Sequence, residues 1–336
     1  MKHIELISSL QSKLVDVLDP YIKPGMRVAL IDFPHHANAG DSYIWFGQIE
    51  YLLRRGANIV YVCWNGAYDP DCIKHVLGPQ GVVLFHGGGN FGDRWSEPHA
   101  LRLRVLNDLK GHRVIQFPQT VRFDHAENIV ATQAAVAEHG DFVLFVRDQA
   151  SYDFSTAHFG CPVELSPDMA FFIGARKPVS VLRDGIVLAR TDIESAGPKA
   201  VAHLDLTMLP GVWLRDDWLV PDWAEAKLTN FLCRFNRRWN RNALGRALMV
   251  ILANRLASQR LKRGIRQLSS GRLVVTDRLH AHILCLLLGK RHMVMDNDYG
   301  KISTFHQAWT RSAEDAKFVR VLNDIPQQLR AMADAT

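Results

Sequence analysis

Three short stretches of the 336-residue chain carry residue types that could do chemistry together. In the first, Leu84-Phe85-His86-Gly87-Gly88-Gly89-Asn90-Phe91-Gly92-Asp93, an apolar run leads directly into three glycines, then Asn and Gly-Asp. Glycines let the backbone turn sharply and let its N–H groups approach a ligand, which suits a phosphate or a carboxylate. The plain alternative is a tight turn with no ligand. No Gly-Lys-Ser/Thr follows, so this is not a Walker loop, and the spacing is not the dinucleotide fingerprint. In the second stretch, Pro34 to Ser42, the residues His35, His36, Asn38, Gly40 and Asp41 fall where a strand ends and a helix begins. Asp41 or Ser42 fits a helix N-cap. Two adjacent histidines are less easily explained by packing, and either suits a general base.

The third stretch, Thr276-Asp277-Arg278-Leu279-His280-Ala281-His282, again ends an apolar strand and enters a helix. An Arg and a His two residues apart, with a helix N-terminus behind them, make an anion site with a proton donor attached. Arg278 paired to Asp277, with a capping His, is the structural alternative. Arg147-Asp148 ends another strand in the same way, so Arg147 and Arg278 could face each other across a cleft. Lys301, in Asn297-Asp298-Tyr299-Gly300-Lys301, brings a further cation. Asp168, in Ser166-Pro167-Asp168, reads as a hinge or acceptor-facing carboxylate, or equally as a solvated or capping Asp.

Positioning these residues requires strands with ends on one side. Arg27–Phe33, Ile59–Cys63, Gly81–Phe85, Arg113–Phe117 and Phe142–Val146 are apolar runs without alternation, the pattern of parallel strands buried on both faces. Asp41–Arg54 has the spacing of an intervening helix, and strand-helix repetition of this kind predicts a doubly wound α/β fold. A charged, Pro-containing interruption at Arg176–Asp184 divides it from a second set: strands at Gly185–Arg190, Leu273–Thr276 and His292–Asp296, with a helix over His280–Leu288. The expected organisation is therefore two Rossmann-like doubly wound domains facing across a cleft. Residues 1–176 form the first, with the acceptor side and the glycine loop, and 177–311 form the second, donor-binding domain. Residues 312–336 complete the chain as a polar helical segment. In open parallel sheets ligands bind at strand C-terminal ends, where all these motifs fall.

Composition narrows the function. Apolar residues make up 48% and charged residues 22%, which supports folded cores and excludes disorder. Met1–Leu10 is too short and polar for a signal peptide, and no run reaches the roughly 18 apolar residues of a spanning helix. A cytoplasmic location is expected. The five cysteines (63, 72, 161, 233, 285) are scattered without metal-ligand spacing and read as reduced thiols. No metal is expected. Between 227 and 272 lie twelve Lys or Arg and no Asp or Glu, leaving the rest of the chain net acidic. Apolar residues recur there at helical spacing, with Gly245 a place to bend or split the helix. A solvated basic face packed on the second domain is one reading. An anionic membrane surface, with the protein peripheral on the inner face, is another. No recognition motif supports nucleic-acid binding.

Taken in order, Asn38-Ala-Gly-Asp41, Gly87-Gly-Gly-Asn-Phe-Gly-Asp93, Val146-Arg-Asp148, Ser166-Pro-Asp168, Thr276-Asp-Arg-Leu-His280 and Tyr299-Gly-Lys301 resemble the polysaccharide pyruvyl transferase family, over roughly residues 27 to 305. The resemblance implies a fold similar to B-type glycosyltransferases. It also implies transfer of pyruvate from phosphoenolpyruvate, as co-substrate without other cofactor, to a sugar of an exopolysaccharide or cell-surface glycan, closing a ketal. The acceptor would be lipid-linked. Arg278, Leu279 and His280 match the family's donor-binding segment, and Arg147 is the candidate for its upstream arginine. Lys301, Gly88, Gly89 and Asn90 complete the expected donor side. Asn38, Asp93 and Asp168 are assigned to the acceptor. His280 is the expected acid, and Asp41, His35 or His36 the base. A nucleotide-sugar glycosyltransferase and a non-catalytic assembly scaffold remain as alternatives.

Overall fold

A computed structural model describes residues 1–192 and 194–334, with side chains through residue 331. Residues 335 and 336 of the expected C-terminal helix lie outside that range. Helix α1 (His3–Leu18) precedes a first sheet built from β1 (Arg27–Ile31), β2 (Asn58–Cys63), β3 (Val82–Phe85), β4 (Gly88–Phe91), β5 (Val114–Val121), β6 (Phe142–Val146) and β7 (Val163–Leu165). Its order is β2-β1-β3-β5-β6-β7, with β4 paired to the far end of β5 and every pair parallel. The crossovers are α2 (Ala39–Arg55), α3 (Pro70–Leu77), α4 (Ser96–Asp108), α5 (Ala126–His139) and α6 (Gln149–His158). Non-alternating strands are what helices on both faces demand, and β3, β5 and β6 are buried at every residue.

A second sheet follows: β8 (Arg183–Leu188), β9 (Trp213–Asp216), β10 (Gly271–Thr276), β11 (His292–Val294) and β12 (Ala316–Phe318), ordered β12-β11-β10-β8-β9 and again parallel throughout. Its helices are α7 (Trp223–Trp239), α8 (Ala243–Ser269), α9 (Leu279–Leu287), α10 (Lys301–Phe305) and α11 (Ile325–Asp334). The expected Rossmann-like α/β class with parallel sheets is what the chain forms. Two local expectations are corrected. The segment after 312 is not simply helical, because Ala316–Phe318 pairs with β11 as an edge strand before α11 begins. The basic helix breaks at Asn240–Asn242 rather than at Gly245; Asn242 caps α8 by accepting from Gly245 N.

The halves share a core. One face of each sheet, together with α1, α2, α8 and α9, encloses a single apolar cluster running from Leu6 and Leu14 through Trp45, Phe171 and Leu256 to Ile186 and Val294. Separate clusters fill the outer faces of each sheet. Two of the run's arginines are buried in this seam: Arg260 donates to Pro34 O (2.9 Å) and Ser42 Oγ (3.0 Å), and Arg263 to Glu225 Oε1 (2.9 Å) and Ala37 O (3.1 Å). Part of the basic run thus pins the Pro34–Ser42 loop instead of facing solvent.

Within the second half a polar chain ties α9, β11 and the turn after α10. Lys290 O can only accept, so His292 Nδ1 donates to it (2.8 Å). His292 Nε2 must then accept from His282 Nδ1 (2.7 Å), and His282 Nε2 from Thr310 Oγ1 (2.8 Å). Thr310 Oγ1 in turn accepts from His306 Nδ1 (2.9 Å). This direction satisfies every link with neutral imidazoles. Burial pushes His292 down to about 4 and His282 well below the ordinary histidine value.

Candidate active site

Strand order locates the site. In the first sheet the chain leaves β1 towards β2 on one side and returns to β3 on the other, so the loops after β1 and β3 open at a topological switch point. These are Asp32–Asn38 and His86–Gly87. The second sheet reverses in the same way between β8 and β10, and the loops there carry Arg190–Glu194 and Asp277–Arg278.

The glycine loop is held rigidly from behind. Asn90 Oδ1 accepts from Arg102 Nη2 (2.6 Å) and Gln119 Nε2 (2.8 Å), while its Nδ2 donates to Asp32 Oδ2 (3.2 Å). Gln116 and Gln119 both donate to His86 O. Among the described residues Asp32, with φ of 69°, is the one non-glycine residue in the left-handed region, a costly conformation the surrounding bonds must maintain. The Asn90 side chain is thus engaged within the loop and shapes the turn. Asp93 accepts from Asp124 N, His125 N and Asn128 Nδ2, capping α5 and anchoring the loop's far end.

At Gly89 the loop meets two cations. A Cβ built there would collide with Lys301 Nζ and lie 3.2 Å from Arg147 Nη2. Arg147 is fully buried: Nε donates to Thr120 Oγ1 (3.0 Å), Nη1 to Asp168 Oδ2 (2.5 Å), and Nη2 has no partner. Lys301 Nζ approaches Glu194 Oε2 at 3.5 Å. An unpartnered buried guanidinium nitrogen and an ammonium, aimed at a glycine with no side chain in the way, form a cradle for an anion.

Asp168 is likewise fully buried. Its Oδ1 accepts from Ala170 N (2.8 Å), and Oδ2, besides Arg147, lies 3.4 Å from His280 Nε2, too far for a formed hydrogen bond. Burial opposes its charge, yet His280, Arg147 and the Ala170 amide outweigh it and hold the carboxyl far below the usual range. His280 packs its other side on α2: a Cβ at Gly40 would come within 2.5 Å of Nδ1. Only glycine leaves room there for the ring.

The acceptor side is more open. Asn38 caps α2 through Gly40 N (3.1 Å) and donates to Asp41 Oδ2 (3.0 Å). Exposed His36 approaches the same oxygen at 3.5 Å, and half-buried His35 lies tilted against Trp64, the ring centroids 4.9 Å apart. Burial pushes Asp41 up, but His36, His280, His86 and Lys301 outweigh it and keep the carboxyl below its usual value. Asp41 Oδ1 faces the loop at 3.5 Å from the Cβ position of Gly88.

Arg278 is held elsewhere. Asp217 grips it bidentately (2.6 and 2.8 Å), and Asp192 lies 3.4 Å away, so it is paired neither with Asp277 nor with the Gly89 cradle. A chain of alternating charge runs Lys301–Glu194–Arg190–Asp192–Arg278–Asp217. Leu279 is buried in the shared core. Asp277 accepts from Arg190 N (2.7 Å), and burial raises its carboxyl to about 6. Among residues the sequence did not single out, Asp32, Arg102, Arg190, Glu194 and Asp217 prove central. Asp32 and Arg190 do end strands and were findable on that ground. Among the described residues no group of three or more His, Cys, Asp or Glu is placed to hold a metal.

A two-sheet α/β site with clustered cations, a buried His–Asp contact and no nucleotide fingerprint fits a transferase. The chain belongs to the polysaccharide pyruvyl transferase family, whose model matches residues 38–299, and it is an enzyme of that family. It is 32% identical to pyruvyl transferase 1 of Schizosaccharomyces pombe over 90% of this chain and 74% of that one. It is 26% identical to EpsO of Bacillus subtilis, which carries a pyruvyl transferase name, over 93% and 94%. The fold resembles that of an uncharacterised protein from Klebsiella pneumoniae, with a TM-score of 0.57 at 21% identity over 93% and 99% of the two chains.

Proposed function

We propose that the protein transfers pyruvate from phosphoenolpyruvate to a sugar of an exopolysaccharide repeat unit or cell-surface glycan. The two sheets correspond, on this reading, to a first domain at 1–176 and a second at 177–311, arranged as in B-type glycosyltransferases. The observation that carries the proposal is the free Nη2 of Arg147, meeting Lys301 Nζ over Gly89. Phosphoenolpyruvate has a phosphate and a carboxylate on adjacent atoms, and such a double anion suits clustered cations. One group sits on the Gly88–Gly89 amides, Arg147 and Lys301. The other reaches Arg278 by displacing Asp217, whose carboxylate occupies the fork a donor carboxylate would take.

His280 then gives a proton to the methylene carbon as C2 becomes oxocarbenium-like. Asp41, His35 or His36 takes the proton of the attacking sugar hydroxyl, whose oxygen bonds to C2. The C2–O bond to phosphate breaks, and a second hydroxyl adds to C2 to close the ketal, its proton passing to the leaving phosphate. No metal takes part in this scheme, so turnover withstands chelator.

Phosphoenolpyruvate should raise the melting temperature, because a ligand that binds only the native state stabilises it. Adding an acceptor glycan should then release phosphate. Gly89→Ala should lose the thermal shift while the apo protein melts near wild type, since the added methyl meets the mobile end of a lysine. A shift with a nucleotide sugar and none with phosphoenolpyruvate would reverse the donor assignment.

We also place the protein at an anionic membrane surface, where a lipid-linked acceptor would be. Leu244, Ala247, Ile251, Arg255, Lys262 and Arg266 share one face of α8 by helical spacing, and all are exposed. Leu244 and Ile251 are 72% and 60% exposed, and exposed Arg234, Arg237, Arg238 and Arg241 lie nearby on and after α7. Each basic residue near such a surface contributes about 1 kcal/mol. Among the described residues no helix is long and apolar enough to cross a membrane. The protein should co-sediment with phosphatidylglycerol vesicles at low salt, and a Leu244→Glu, Ile251→Glu variant should not; wild type left in the supernatant removes the assignment.

A further inference from the structure

Asp168 lies between two groups with different tasks. One oxygen, Oδ2, receives Arg147 Nη1 at 2.5 Å and faces His280 Nε2 at 3.4 Å. All three side chains are buried, so the charges are screened little. With the cradle empty, the guanidinium has a single anionic partner and largely neutralises Asp168. His280 then gains little by holding a second proton. An anion that takes the free Nη2 shares the positive charge of Arg147, and the carboxylate's remaining charge acts on the imidazole. The other groups near His280 are fixed or lie on the far side: Asp41 on α2 beyond Gly40, His86 after β3, and Lys301 on α10, which the anion would itself engage.

We propose that Asp168 is a positioning residue that couples capture of the donor anion by Arg147 to protonation of His280, so that the acid is loaded only when there is a donor to protonate. The inference rests on the donor reading above. It also reassigns Asp168, from a contact on the acceptor to a link between donor and acid. Because coupling of this kind is reciprocal, proton and donor each tighten the other's binding. Release of phosphate then returns Arg147 to Asp168 and leaves the spent His280 imidazole neutral until the next donor binds.

A coupling that raises the proton affinity of His280 by about one pKa unit is tenfold in donor affinity, and near its midpoint it takes up about half a proton per donor bound. Calorimetric titration with phosphoenolpyruvate in buffers of different ionisation enthalpy reads that uptake directly. The titration is run at pH 8, where the ligand phosphate is already fully ionised and a coupling of this size on an ordinary histidine takes up about 0.2 proton per donor bound. Wild type should bind with heat that depends on the buffer. His280→Gln should bind with buffer-independent heat, which also subtracts any proton contributed by the ligand. Asp168→Asn should keep measurable binding and lose the uptake. If that variant is unfolded by circular dichroism, Arg147→Lys is used, since an ammonium cannot hold Asp168 and the anion through one planar fork; its uptake should fall likewise. Binding by wild type with buffer-independent heat overturns this coupling and leaves the donor assignment standing. Uptake that persists in His280→Gln assigns the proton to another group and overturns it too. Absence of binding removes the donor assignment itself, and the coupling with it.

Discussion

Replacing His280 by alanine is expected to lower kcat by about 10²–10⁴-fold, the range for loss of one general acid, while the donor still binds. His280 sits between Asp168 and the first turn of α2 and makes none of the cradle's contacts. Removing the ring leaves Arg147, Lys301 and the glycine amides where they were. The thermal shift with phosphoenolpyruvate should therefore survive in His280→Ala even as phosphate release on adding glycan nearly stops. KM for the donor should change far less than kcat. Near wild-type turnover in this variant would remove His280 from the mechanism, and loss of the thermal shift would make it a binding residue rather than the acid.

The second large effect is on stability. Folding should weaken steeply between pH 6.5 and about 4, because His86, His282 and His292 are buried as neutral rings. Burial pushes His86 and His292 down to about 4, and His282 falls in the same direction. The sign follows from linkage: below 6.5 the unfolded chain binds protons that the folded chain refuses, so acid favours unfolding until the folded-state value is passed. At pH 5 His86 and His292 each cost about 2 kcal/mol relative to neutral pH, and His282 acts in the same direction. Asp277 opposes them. Its carboxyl is raised from 3.8 to about 6, so its penalty grows across that range, and acidification to pH 5 returns roughly 1 kcal/mol. The net loss, about 3 kcal/mol from these three groups before His282 adds to it, is a substantial part of an ordinary domain's 5–15 kcal/mol. Urea unfolding at pH 7.5 and 5.0 measures it, and a difference below about 1 kcal/mol would show that these rings charge without unfolding the chain. His86→Gln, which keeps a polar group but cannot charge, should reduce the loss by about 2 kcal/mol.

What the sequence made legible was the set of strand ends. Parallel strands buried on both faces announce themselves as unbroken apolar runs, and a glycine triplet or an Arg-Leu-His after such a run is visible without a structure. Partnership across the fold was not legible. Arg278 looks like a free cation in the sequence. Its partner Asp217 follows β9, a short strand with two exposed and two partly buried residues and no apolar run to mark it. Arg260 and Arg263 look like members of a solvated basic face, because nothing local reveals that Glu225 and the carbonyls of Pro34 and Ala37 await them. Edge strand β12 escaped for the same reason as β9. The division of labour at Asp168 was also hidden: it depends on an arginine 21 residues upstream and a histidine 112 residues downstream meeting one oxygen.

The core shared by the two halves has a consequence for biosynthesis. Helix α1 packs against α9, and α2 against α8, so the earliest helices made by the ribosome meet Met169–Ile173 first and gain these second-half partners only after roughly two hundred further residues or more. At roughly 5–20 residues per second, α1 must keep Leu6, Leu10 and Leu14 out of water for about 13–50 seconds with no native neighbour from the second half. The first sheet can assemble meanwhile, since its strands pair within residues 27–165. The long pause falls on the seam beside the active site, which makes a nascent chain truncated before α8 the species most exposed to chaperones or aggregation.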